Sequence, residues 1–111
     1  MARTHPVHFD FHENGDIDYK PGLLHVRHND KIKWTCNRSD FFIAFTIDGS
    51  PLDDTTYLGV GGVIDPQTVT TNQAGSFHYQ VGAIVTLSKR GKKMKKLFMA
   101  TGSPEIIVES F

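Results

Sequence analysis

Six histidines and a single cysteine are the residues of this chain with the most chemical potential. In "PVHFDFHE" His8 and His12 stand four apart. On a strand that spacing gives them one face but separates them by about 13 Å, too far to chelate an ion without help. A metal-handling site would therefore need His5, His25, His28 or His78 from neighbouring strands, and the set His8, His12 and His78 is the metal alternative the sequence offers. A lone Cys36 cannot form an internal disulfide, and one thiol does not make a zinc framework. It ends the inward stripe Ile32, Trp34, Cys36 in "KIKWTC", where a cysteine packs as a small hydrophobe.

The second candidate is a charge run. "KRGKKMKK" places Lys89, Arg90, Lys92, Lys93, Lys95 and Lys96 within eight positions. These are six of the twelve basic residues, leaving six basic against twelve acidic elsewhere, so +6 here faces −6 in the remainder. Such a segment can be a solvated loop, or it can bind anions with Met94, Leu97 and Phe98 adding apolar contact. An acidic protein surface is the expected partner. An anionic lipid surface or nucleic acid is the lesser alternative, because no aromatic stacking set accompanies the lysines.

No nucleophile triad, helical His pair or phosphate-cradling loop is present, and "GVGGV" lacks the lysine of a P-loop. An enzyme would have to assemble from residues such as Asp53, Asp54 and His78, so a non-enzymatic reading is expected and no cofactor is assigned.

Alternation supplies the elements that must position these groups. Val7, Phe9 and Phe11 share one face, and Phe77, Tyr79 and Val81 do so in "GSFHYQV". "LLHVRH" and "KIKWTC" flank an Asn-Asp turn and read as a hairpin, and "FFIAFTI" (Phe41 to Ile47) reads as a strand covered on both faces. The passage "DGSPLDDTTYLGVGGVIDPQ" reads as a loop with at most a short helix or turn, and "PEIIVES" as a last strand. About seven short strands in a single domain over 1–111 imply an all-β Greek-key sandwich. Trp34, Phe42, Phe45, Phe77, Tyr79, Val81 and Ile107 are expected in or beside its core. With 39% hydrophobic and 22% charged residues the chain has the composition of a globular domain rather than a disordered one. The absence of an apolar leader leads to the expectation of a cytoplasmic protein, or of a secreted or periplasmic one if the chain is a mature fragment.

"YKPGLLHVRHNDKIKWTCNRSDFFIAF" resembles the opening of the cupredoxins, "AGSFHYQV" resembles their cysteine-bearing strand, and "PEIIVE" their final strand. The resemblance runs from about residue 17 to 109 and implies a cupredoxin-like sandwich. It also implies where copper ligands would stand, since type 1 copper takes two imidazoles, a thiolate and a weak axial thioether. The first histidine position falls near Phe42 and the cysteine position at Val81, no histidine follows Gly82, and Met99 alone stands at the axial place. The resemblance thus implies a copper-free module, with the basic segment 88–97 as an enlarged, exposed and mobile loop between the last two strands.

Overall fold

The structure, a computed structural model, describes residues 2–12, 16–45, 49–100 and 103–109. They form strands and no helix. One sheet has the order β2 (Ile17–Lys20), β1 (Thr4–Phe11), β4 (Lys31–Cys36), β7 (Val63–Thr68). A second runs β10 (Lys92–Met99), β9 (Gln80–Lys89), β5 (Asp40–Ala44), β6 (Thr56–Gly59), and a third runs β3 (Leu23–Val26), β11 (Glu105–Val108), β8 (Gly75–His78). Only Tyr79 separates β8 from β9, so the second and third sheets continue one another along the chain.

The all-β sandwich expected from alternation is what the chain forms, with eleven strands among the described residues rather than about seven. The stripes Val7, Phe9, Phe11 and Ile32, Trp34, Cys36 all point into one core with Leu24, Val26, Ile43, Val81, Ile106 and Val108. Aromatic contacts join the layers: Tyr79 lies edge-on 6.0 Å from Trp34 and 6.5 Å from Phe9, and tilted 5.2 Å from Phe45, centroid to centroid. The Trp34 indole N–H donates to the Tyr79 hydroxyl at 3.3 Å, which satisfies a donor that would otherwise be buried without a partner.

Several expectations are corrected. "LLHVRH" and "KIKWTC" are not a hairpin: β3 pairs in parallel with β11, and β4 pairs in parallel with β1. Ile107 is one residue out of phase, since Ile106 and Val108 are the buried pair. Phe42 is half-buried outside the core, whereas Phe77, also half-buried, packs against the core as expected. In "FFIAFTI" the residues Phe41, Ile43 and Phe45 are buried while Phe42 and Ala44 face the other side, so β5 is covered on one face; Thr46 and Ile47 lie outside the described residues. The supposed loop before Gln67 contains β6 and most of β7.

Where the chain crosses from β3 to β4, a buried carboxylate organises the corner. Asp30 is 6% exposed and accepts the backbone N–H of Arg3 at 3.0 Å, that of Arg27 at 3.1 Å, and a contact from His5 Nε2 at 2.8 Å. Asn29 reverses the chain with φ of 75°, a left-handed conformation that asparagine tolerates better than most residues. Burial raises a carboxyl's pKa, but the Arg3 and Arg27 amides and the His5 imidazole overcome that and hold Asp30 below its ordinary value of 3.8.

Asp30→Asn replaces an acceptor-only group with one that presents N–H to N–H, and should cost about 1–3 kcal/mol in urea unfolding at neutral pH. A group with a lowered folded pKa contributes its full stability above 3.8 and loses it as pH falls through the folded value. The gap between parent and variant should therefore narrow below that pH; a gap independent of pH would show that the charge on Asp30 contributes nothing.

Candidate functional site

The basic segment is not a loop. It is the outer half of a β-hairpin made by β9 and β10, closed by Arg90 at φ of 54° and Gly91 at φ of 74°. A two-residue turn with both φ values positive matches the right-handed twist of the strands it joins. Register runs without slip from Met99↔Gly82 to Lys92↔Lys89.

The inner part of β9 is a sandwich strand: Gln80 to Ile84 pair with β5, and from Gly82 onward β9 pairs with β10 as well. Val81, Gly82 and Ala83 are accordingly buried. Beyond Ile84, β9 has β10 as its partner and the ribbon leaves the body, and every residue from Lys92 to Leu97 is exposed. The long axis of the molecule reaches 57 Å against 22 and 21 Å across it. The radius of gyration, 14.8 Å, exceeds the roughly 13 Å of a compact chain this long.

Residues directly opposite in a pair share a face. Lys92, Met94 and Lys96 therefore lie on one face of the ribbon, Lys93 and Lys95 on the other with Ile84 and Leu97. No residue from Gln80 to Met99 is acidic, so the strands themselves hold no counter-ion for this charge. Lys96 finds a partial one, its Nζ lying 5.3 Å from the centre of the Phe98 ring.

The second face continues onto the body as an apolar surface that the sequence did not disclose. Leu58 pairs with Phe42, Phe42 with Gly82, and Gly82 with Met99, which sets one row across the four strands. A Cβ at Gly82 would lie 2.5 Å from a Phe42 ring carbon and 2.8 Å from the Met99 sulfur, so glycine lets both side chains settle there. Leu58 is 75% exposed and Val60 77%, with Ile84, Leu97 and Met99 also open to solvent. Alternation in "GAIV" could have shown that Ile84 faces away from Ala83; the lateral row depends on pairings with no local signature.

The histidines are occupied singly. His8 contacts Thr35 Oγ1 at 2.7 Å and Asp10 at 3.0 Å, His12 contacts Asp18 at 2.7 Å, and His25 contacts Glu109 at 2.7 Å. His78 lies 3.7 Å from Glu105, and His28 meets the Thr71 carbonyl at 3.0 Å. His8 stands on β1 and His78 on β8 in another sheet, and no three His, Cys, Asp or Glu side chains are gathered among the described residues. Asp53 and Asp54 are exposed, the Asp54 N–H donating to the Tyr57 hydroxyl at 2.9 Å. A cleft of about 470 Å³ opens beside the Asp30 corner, lined in part by Arg3, Arg27, Asp30 and Glu109. Its two carboxylates already hold His5 and His25.

The positions matched to copper ligands do not converge. Val81 is wholly buried on the core side of β9, whereas Phe42 and Met99 meet over Gly82 on the opposite side. Cys36 Sγ accepts the Arg38 N–H at 3.4 Å and donates to Asn37 Oδ1 at 3.9 Å, and burial pushes its thiol pKa up despite the Arg38 N–H and charge. These residues do not fit a type 1 copper centre.

No protein-family profile matches this chain, and no curated protein does. Among solved structures it is similar to a copper(I) form of a methionine-to-alanine mutant of amicyanin, with 15% identity over 92% of this chain and 80% of that one at a TM-score of 0.49.

A buried thiol with a raised pKa holds less thiolate at pH 8 than a free one, and only thiolate attacks iodoacetamide. Cys36 should be alkylated at least about tenfold more slowly in native buffer than in denaturing urea. Equal rates would place it at the surface.

Proposed function

We propose that this chain is a non-enzymatic, copper-free binding module that contacts an acidic partner through the basic ribbon 88–97. The observation that supports this most is the exposure of every residue from Lys92 to Leu97 in a regularly paired hairpin that contains no acidic side chain. Holding like charges side by side is unfavourable, as with Lys93 and Lys95 on one face of β10. A solvated connection between two strands needs only two to five residues, so the ribbon's length has no purpose inside the sandwich. An external anionic surface gives it one, because carboxylates facing the lysines convert the repulsion into attraction.

The partner bond is electrostatic at its rim and should weaken with salt, since exposed charges are screened over roughly 8 Å at physiological ionic strength. The protein with Lys92, Lys93, Lys95 and Lys96 all changed to Ser should unfold within about 2 kcal/mol of the parent, as surface changes each fall within about 0.5 kcal/mol. It should bind a fluorescent glutamate-rich peptide far more weakly than the parent in low salt. Equal binding by both proteins would leave the ribbon a solvated hairpin. Added Cu(II) should give no intense visible band, because such a band needs a copper–thiolate bond; a strong band near 600 nm lost in Cys36→Ser would defeat the copper-free reading.

A further inference from the structure

We propose that the open edge of β10 captures an extended acidic segment of the partner as an added β-strand, which deepens the binding role just proposed and rests on it. Among the described residues β10 has β9 as its strand neighbour and ends the sheet. The Ala100 N–H donates to the Val81 carbonyl at 2.9 Å, which fixes the phase of the ladder. In an antiparallel pair, alternate residues turn both backbone polar groups toward the neighbour. Phe98, Lys96, Met94 and Lys92 therefore face β9, while Met99, Leu97, Lys95 and Lys93 direct their N–H and C=O groups outward.

An open edge of this kind is a template for strand addition, in which main-chain bonds give affinity and alternate side chains give selectivity. Here the side chains select by charge. An incoming strand with carboxylates on both faces meets Lys93 and Lys95 on one side and Lys92 and Lys96 on the other. A second copy of β10 is the worst occupant. Two-fold pairing about Met94 sets Lys92 against Lys96 and Lys93 against Lys95 of the second copy, and pairing about Lys95 sets that residue against itself. A lipid surface would take the lysines but offers nothing to the edge, and an open edge is not tolerated in hydrocarbon.

The test uses the whole protein and a capped peptide of about eight glutamate and valine residues, long enough to span β10. The peptide is made unmethylated, N-methylated at alternate residues on one edge, or N-methylated at every residue so that neither edge can donate. Charge is the same in all three. Anisotropy should show the edge-methylated peptide binding like the unmethylated one through its clean edge and the fully methylated peptide at least about tenfold more weakly, the loss of one or two hydrogen bonds. Leu97→Pro removes an outward N–H with no change in charge, and should lose binding where Leu97→Ala does not, with both circular dichroism and thermal midpoint retained. If the proline variant does not fold, the peptide series on the parent protein decides.

The fully methylated peptide binding like the unmethylated one would overturn strand addition and leave charge-driven binding standing. Peptide binding unaffected by the four Lys→Ser changes would overturn the binding role itself. Capture of phosphatidylserine vesicles without capture of any peptide would replace the acidic strand by a lipid surface.

Discussion

The architecture depends on a buried carboxylate at one corner. At Asp30 the chain leaves the three-stranded sheet and enters the four-stranded one, and that crossing would strand polar backbone groups in the interior. One side chain meets most of the demand, accepting the amides of Arg3 and Arg27, while the Asp30 backbone carbonyl accepts Val69 N–H at 2.7 Å. Three segments distant in sequence are thereby fixed together. Because Lys31 N–H also donates to the Arg3 carbonyl at 2.7 Å, the parallel register of β1 on β4 begins at this corner. That register puts Val7 beside Trp34 and Phe9 beside Cys36, so the inward stripes of the two strands coincide. The core and the corner are consequences of the same alignment.

From the core to the ribbon the dependence runs along β9. A two-stranded ribbon is marginal alone in water. This one is anchored at its base, where Gly82 to Ile84 are held between β5 and β10, and closed at its tip by a turn whose twist suits the strands. Gly82 is the junction. On one side its neighbours Val81 and Ala83 pack into the core, and on the other its missing side chain admits Phe42 and Met99. The sandwich thus lends order to a surface it does not bury.

What could be read from the sequence was local. Period-two stripes located Phe9, Trp34, Cys36 and Val81 in the core because alternation reports burial on a single strand. Pairing is not local: β1 finds β4 and β3 finds β11, in parallel and across long separations, so "LLHVRH" and "KIKWTC" looked like a hairpin only because a turn lay between them. The ribbon was hidden for a different reason. Lysine is a poor strand former, and "RG" is a weaker hairpin signal than "NG" because arginine accepts a positive φ less readily. Its charge was legible; its shape and its apolar neighbour surface were not.

Shape also decides whether the opposed charges of ribbon and body cancel. The rest of the chain carries −6, and collapse onto it would neutralise the ribbon internally. A strand cannot bend back in that way. Asp40 pairs with Ile84 at the ribbon's root, where Leu97 stands across from it on β10. Lys92 lies five positions farther out, about 17 Å along a strand that rises about 3.4 Å per residue. That is roughly twice the distance over which salt screens exposed charge. The tip is electrostatically separate from the body that bears it, and a paired ribbon, unlike an unpaired loop of the same composition, keeps its charge extended toward another molecule.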